Sequence, residues 1–482
     1  MVNEIMYDIA VIGGGVVGGT ILRELSKYKI KTVMLEKSSD VCMGQSKANS
    51  GIVHAGFDAL NGTLKAKFNV RGSEMMENYA KELGVKYKNN GSLVVAFSNS
   101  ELETLETLAE RGKKNGVKGL TLISKSELKA LEPNVSDNAL GALFAKTGGI
   151  ICPYELTVAA IGNAMDNGAE LKLDFNVTKI NNKNGYFELV SSDGEKVSAK
   201  TLINCAGAGS EDVARLAGDD SIKIGLRRGE YILLDRESGD LVSHTLFFCP
   251  TEKGKGILVT NTVDGNILLG PTAEEIDDND TDTTSKGLSE IKNKAAEMIA
   301  KVPFYNTITS FAGVRAYSEG KHDFIIENSK KVKGLINVCG IESPGLTSAP
   351  AIAEFVVENL IPFEYKAVKN ASFNPERKPD NFFKSLSDDE KNEIIRKNHE
   401  YGRIVCRCEQ ITEGEIVEAI HKNPPALTVD AIKRRTRSGM GRCQGGFCGS
   451  RVTEIIAREL NVPLEEVRKS GKNSQMLVGK TK

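Results

Sequence analysis

The chain opens on an apolar run, Ile9 to Ile12, that breaks into Gly13, Gly14 and Gly15. An amphipathic stretch from Val16 to Lys29 follows, and a second apolar run, Thr32 to Leu35, closes on Glu36. That pattern predicts strand, glycine turn, helix and strand. KTLINCAGAGSEDVARLAG (200–218) repeats the logic, and GLINVCGIESPGLTSAPAIAEFVVENL (334–360) reads strand, loop, helix. Between them, residues 63–85 carry apolar positions at helical spacing, 91–97 read as a strand, 100–116 as a charged surface helix and 125–133 as a short helix ended by Pro133. Residues 151–171 read as a helix and a return strand, followed by strand, turn and strand up to Ser192. Residues 225–272 alternate in strand fashion, and 285–302 are helical. From 361 to 400 the chain is polar and broken by prolines, and a small module begins near Tyr401.

These elements predict an α/β chain: a Rossmann-like dinucleotide-binding domain with an inserted antiparallel-sheet substrate domain, and a small C-terminal helical module. The expected boundaries are a main unit over 1–365, with its dinucleotide-binding part roughly 1–90, 150–220 and 325–365 and its substrate part roughly 91–149 and 221–324. A linker over 366–400, the module over 401–460 and a tail over 461–482 complete the chain. The acidic run EEIDDNDTDTT (274–284) is expected as a solvated loop.

The opening glycines fit the G-x-G-x-x-G pattern at Gly13, Gly15 and Gly18. They serve a tight turn, close approach of backbone to a pyrophosphate, and close packing of helix on strand. Glu36 ends the second strand, where a carboxylate can hold ribose hydroxyls. A formal net charge of −1 gives no reason to expect nucleic acid, and no run approaches the length of a membrane-spanning helix. Five of nine cysteines, Cys42, Cys152, Cys205, Cys249 and Cys339, stand singly in mostly apolar surroundings and are expected as buried free thiols in a reducing cytoplasm.

The other four are clustered as Cys406-x-Cys408 and Cys443-x4-Cys448. Four thiolates in two pairs suit a 2Fe-2S cluster, with zinc or a disulfide framework as alternatives. Cys406 and Cys408, at i and i+2 on extended backbone, would face one iron together. Lys433, Arg434, Arg435, Arg437 and Arg442 would offset the negative charge of such a cluster. A dinucleotide fold beside a one-electron centre argues for flavin, because a flavin accepts a hydride and releases single electrons.

The module, with CRCE and RRTRSGMGRCQGGFC, resembles the bacterioferritin-associated-ferredoxin-like 2Fe-2S domain in the form fused to anaerobic glycerol-3-phosphate dehydrogenase large subunits. The first 365 residues resemble the D-amino-acid-oxidase-like FAD family. The matching stretches are the glycine fingerprint with Glu36, ANSGIVHAGFD (48–58), GTLKAKFNVRG (62–72), INCAGAG (203–209), RRGEYILL (227–234), GVRAYSEGKHDFII (313–326) and GIESPGLTSAPAIAE (340–354).

That resemblance implies FAD, with Gly13, Gly15 and Gly18 at its pyrophosphate, Glu36 on the adenosine ribose and Lys37 beside it. It implies Asn49, Ser50 and Gly51 under the flavin ring, Val177 at the adenine and Ala206 and Gly207 at the diphosphate. Gly340, Gly345, Leu346 and Thr347 would form the loop facing the ring. His54 is the candidate base and Arg315 the best substrate-anion ligand, with Tyr231, Lys321 and His322 as further substrate candidates. Cys406, Cys408, Cys443 and Cys448 would hold the cluster.

The reaction so implied oxidises sn-glycerol 3-phosphate to dihydroxyacetone phosphate and passes electrons through the cluster. An L-2-hydroxyglutarate-like dehydrogenase, an amine dehydrogenase and an electron-transfer subunit without its own substrate are the alternatives. The implied partners are a second flavoprotein of the pyridine-nucleotide–disulfide type and a small cysteine-containing protein. The expected location is the cytoplasm, with peripheral attachment to the inner face of a membrane left open.

Overall fold

The computed structural model describes residues 5–250, 256–380 and 382–479, so the last three residues of the expected tail lie outside the described residues. Strand β1 (Met6–Ile12) runs between β2 (Thr32–Leu35) and the strand Lys196–Asn204, parallel to both. A strand covered on both faces should be apolar without alternation, and Ile9 to Ile12 are all buried. Leu335–Cys339 extends the parallel set, and the hairpin Val177–Lys183/Tyr186–Ser191 continues the sheet antiparallel.

In this register Ile12 pairs with both Leu35 and Asn204, and Asn204 pairs with Asn337. The three strand-to-helix junctions expected from the pattern therefore emerge side by side at the carboxyl edge of one sheet, where open α/β sheets bind ligands. Helix α1 (Val16–Leu25) leaves the first junction and buries Ile21, Leu22 and Leu25 against the sheet.

Among the described residues, a second sheet of nine strands is built around the long antiparallel pair Ile224–Leu234 and Thr307–Ser318. Ser92–Ala96 and Gly141–Ala145 join it from the earlier part of the chain, with one parallel pairing, Thr245–Phe248 beside Ser92–Ala96. The helix Ser285–Met298 covers it through Ile291, Ala295 and Met298. The acidic run is not simply a solvated loop. Glu274–Ile276 is a strand paired to Leu226–Arg228, and Glu274 and Asp280 both pair with the buried Arg228 guanidinium. Carboxylates that looked merely hydrophilic have a cation to neutralise across the sheet edge.

Residues 361–380 lie along the dinucleotide-binding unit. Arg377 is buried; its N–H donates to the Glu82 carbonyl at 2.8 Å and its guanidinium reaches Asp166 at 3.1 Å. Asp388–Lys397 is a surface helix opened by a capping box from Ser387 and Glu390. The C-terminal module has its own core, in which Ile416, Ile432, Val452, Ile455 and Ile456 join the helices Glu413–His421, Val429–Thr436 and Gly449–Leu460. Among the described residues no helix is long and apolar enough to cross a membrane.

Candidate active site and cluster site

One cavity of about 1140 Å³ runs along the carboxyl edge of the first sheet and under the second. Glu36, Lys37, Phe175 and Val177 line one end, Gly13, Gly15, Ala206 and Gly207 the middle, and Ser50, His54, Tyr231 and Arg315 the other end. Gly13 has φ +111°, and a Cβ there would collide with the Cys205 carbonyl. Gly18 does not line the cavity: a Cβ on it would collide with the Gly13 carbonyl oxygen, so its service is helix-on-strand packing. Glu36 is buried, which raises its carboxyl pKa, while the Gly14 and Ser38 N–H groups donate to it at 2.7 and 2.8 Å. Its oxygens keep lone pairs free toward the cavity end.

Asn49, Ser50 and Gly51 form the wall beside the sheet junction; Asn49 accepts the Gly51 N–H at 2.9 Å and donates to the Gln45 carbonyl. Gly340, Gly345 and Leu346 face it from the third junction, where the helix Gly345–Phe355 begins. Thr347 is buried behind the lining. Its hydroxyl accepts the His54 N–H at 2.9 Å and donates to the Ile52 carbonyl at 3.2 Å, clamping the loop that carries His54.

His54 is half-buried, with Nε2 3.4 Å from the Ser343 hydroxyl and its ring 5.9 Å from that of Phe247. Arg315 donates from Nη2 to the Thr272 carbonyl at 2.9 Å, and its buried Nε has no hydrogen-bond partner among the described residues. The guanidinium also lines the cavity, where it puts a fixed positive charge. Tyr231 is buried, its hydroxyl 3.4 Å from that of Ser50 and its ring stacked 4.9 Å from Phe311; burial raises the phenol pKa. His322 edges the cavity with a left-handed backbone. Lys321 does not line it and pairs with Glu327 at 3.6 Å on the surface.

Arg227 and Lys65 escaped the sequence reading as site residues although both lie in the quoted stretches. Arg227 stands opposite Arg315 in the strand register, lines the cavity and is held by Glu275 at 2.8 Å. Lys65 lines it too and pairs with Glu342 at 2.7 Å. Gln45 was also missed. Its amide donates to the Ile341 carbonyl and accepts the Ala316 N–H, joining three remote segments around the cavity, and nothing local in the sequence marks that.

In the C-terminal module the four cysteines converge at one end, but not as expected. Strand Ile404–Cys406 ends at the first cysteine and the chain turns at once, so Cys406 is buried while Cys408 is exposed. The sulfurs pair across the two motifs. Cys408 and Cys443 are 3.8 Å apart, and the Cys448 thiol hydrogen-bonds Cys406, pulling Cys406 down to about 5. Among the described residues no three His, Cys, Asp or Glu side chains converge as ligands of a single ion. The donor set is two thiol pairs, as the two irons of a 2Fe-2S cluster require.

The basic residues near the cysteines are mostly engaged elsewhere. Arg434 and Arg435 bind Asp40, Arg437 binds Glu409 and Asp264, and Arg442 binds Asp235 and Glu237. Lys433 reaches Gln444 at 3.3 Å. They dock the module more than they neutralise a cluster. The five single cysteines are all buried free thiols.

The model of the FAD dependent oxidoreductase family matches residues 8–359, and that of the BFD-like 2Fe-2S binding domain matches residues 404–458. A glycerol 3-phosphate dehydrogenase of Caloramator mitchellensis is 48% identical over 99% of this chain and 99% of its own length. An L-2-hydroxyglutarate dehydrogenase of Escherichia coli K12 is 28% identical over 74% of this chain and 93% of its own. Among solved structures, a dithionite-reduced L-alpha-glycerophosphate oxidase from Mycoplasma pneumoniae with FAD bound superimposes with a TM-score of 0.74 at 30% identity, covering 78% of this chain and 99% of that one. The residues present fit both groups: an elongated cavity with a side-chain-free glycine junction at its middle for FAD, and two facing thiol pairs for the cluster.

Proposed function

This chain belongs to the FAD-dependent oxidoreductase family, and we propose on that premise that it oxidises sn-glycerol 3-phosphate to dihydroxyacetone phosphate. The observation that carries the reading is that Arg315 and Arg227, opposite each other in strand register, both line the cavity at the end away from Glu36. Two guanidiniums on adjacent strands make a receptor for a small dianion, because each presents a rigid fork of donors.

Bound FAD supplies two-electron acceptance from the substrate and one-electron release to the cluster. Arg315 binds and orients the substrate's anionic group, which sets the distance from that group to the carbon being oxidised. His54 takes the hydroxyl proton at Nε2, with the Ser343 hydroxyl steadying the ring. Thr347 and Asn69, which hold the His54 backbone N–H and carbonyl, keep that nitrogen in place. Tyr231 and Phe247 close the polar end with aromatic surface and exclude water.

Glu36 and Lys37 serve the adenosine end and Val177 the adenine. Gly13, Gly15, Ala206 and Gly207 serve the pyrophosphate, Asn49, Ser50, Gly51, Gly340, Gly345 and Leu346 the flavin ring. Cys406, Cys408, Cys443 and Cys448 hold the cluster. Electrons leave to a docked protein, a second flavoprotein subunit with a small cysteine-containing protein; the exposure of Cys408 and of Phe447 between two ligands supports this reading.

The test is anaerobic stopped-flow bleaching of the flavin by sn-glycerol 3-phosphate, L-2-hydroxyglutarate and sarcosine in parallel. Rapid bleaching by the first alone is the expected result. Preferential bleaching by the second or third, or by none, overturns the assignment.

A further inference from the structure

The module meets the rest of the chain at several points, and one of them connects the cavity wall to the cluster ligands. Gly51, in that wall, accepts the Ile151 N–H at 2.8 Å, and a Cβ on it would collide with the Ile151 carbonyl oxygen. Tyr154 follows immediately, in the first turn of the helix Pro153–Asp166. Its hydroxyl donates to the Met440 sulfur at 3.4 Å and accepts from Arg437 Nη1 at 3.1 Å. Met440 adjoins Gly441, which is packed so closely on Cys408 that a Cβ would overlap that side chain and lie 3.3 Å from its sulfur. Arg437 fixes the junction from behind: it binds Glu409, the neighbour of Cys408, at 2.9 Å and Asp264 of the second sheet's domain at 2.6 Å.

We propose that Tyr154 and Met440 form the electronic contact through which the cluster is reduced from the flavin end of the cavity, with Arg437 as the positioning residue that holds it. The inference rests on the flavin-to-cluster reading above. One substrate turnover leaves two electrons, and an oxidised 2Fe-2S cluster takes one. The contact is therefore used twice per turnover, the cluster passing the first electron to an external one-electron acceptor before the second arrives. Tyr154 is a conduit and is not itself oxidised, so no proton leaves its phenol. A competing connection runs from Tyr231 to the end of its strand at Leu234 and on to Arg236 in the next turn, whose Nη2 donates to the Cys408 carbonyl at 2.9 Å. That one crosses a longer stretch of chain and ends on a backbone oxygen rather than beside a ligand side chain.

The experiment uses the full-length holoenzyme and its Tyr154→Leu, Tyr154→Phe, Met440→Ala and Arg236→Leu variants, each checked for FAD, iron and sulfide content. The flavin is reduced by a flash of light with a deazaflavin and a sacrificial donor, so the measurement does not depend on which substrate is correct. Growth of the reduced-cluster EPR signal is followed by rapid freezing. The expected result is loss of the fast phase of cluster reduction in Tyr154→Leu and Met440→Ala, with the EPR line shape unchanged. Tyr154→Phe should retain part of that phase, and Arg236→Leu all of it. Wild-type cluster reduction in Tyr154→Leu with a full complement of both cofactors overturns the proposal, as does loss of the fast phase in Arg236→Leu alone. Should Tyr154→Leu fail to fold, Met440→Ala decides by the same criterion.

Discussion

Asp40 and Arg435 meet in a two-pronged contact, Nη2 to Oδ1 at 2.8 Å and Nη1 to Oδ2 at 2.9 Å, with both side chains almost wholly out of solvent. Arg434 adds a second guanidinium to the same carboxylate. Asp40 lies in the loop that runs on to Ser46 and Asn49 at the cavity, and both arginines come from the C-terminal module. The loop at the cavity is thus held from behind by the module that carries the cysteines.

Asp40→Asn leaves two buried arginines without their counter-charge, which should cost about 3–5 kcal/mol, the usual penalty for breaking a buried pair from one side. Denaturant unfolding of the holoprotein measures it. Burial opposes ionisation of Asp40, but the two guanidiniums win and hold its pKa below the ordinary value. The stability it contributes is therefore complete above the unfolded carboxylate pKa and disappears as pH falls through the lower, folded value. In acid titrations the wild type should lose stability over that window and Asp40→Asn should not.

Arg315→Lys keeps the charge but replaces the fork with a single point donor. Losing a charged hydrogen bond of about 1.5–3 kcal/mol should lower kcat/KM for glycerol 3-phosphate roughly ten- to a hundredfold. Steady-state kinetics with an artificial acceptor reads the loss, and the FAD content of the purified variant should be unchanged because Arg315 is not among the residues assigned to the cofactor.

Glu155 is buried, and burial raises its carboxyl from 4.5 to about 7, with the charge of Asp264 adding to the rise. A raised folded pKa means that the folded state binds the proton more tightly. The resulting stability is full below about 4.5 and is lost as pH rises through about 7. Thermal unfolding of the wild type should thus shift downward across that interval, and Glu155→Gln should flatten the dependence. An identical slope in the two proteins would contradict the assignment.

Much of this was legible in the chain because it rests on local rules. The G-x-G-x-x-G turn, the buried run Ile9–Ile12, the helix Glu413–His421 and the cysteine spacing each follow from neighbours a few residues apart, where period and steric permission decide. Reading Arg434, Arg435 and Arg437 as counter-charge for a cluster failed for the opposite reason. A charge run near cysteines shows its sign but not its partner, and Asp40 and Asp264 are brought to it only by folding. The same holds for Gln45, whose hydrogen bonds go to Ile341 and Ala316.

By itself, then, the sequence determined the strand–glycine–helix junctions, the change from α/β to antiparallel segments and the clustering of four of the nine cysteines, since hydrophobic period and glycine sterics act over short spans. Only the tertiary structure decided that Cys408 faces Cys443 rather than standing with Cys406, that Arg227 stands across from Arg315, and that the module is clamped to the loop at the cavity through Asp40. Those facts depend on strand register, on a turn immediately after Cys406, and on burial. Burial makes an ion pair strong only when folding has supplied both partners.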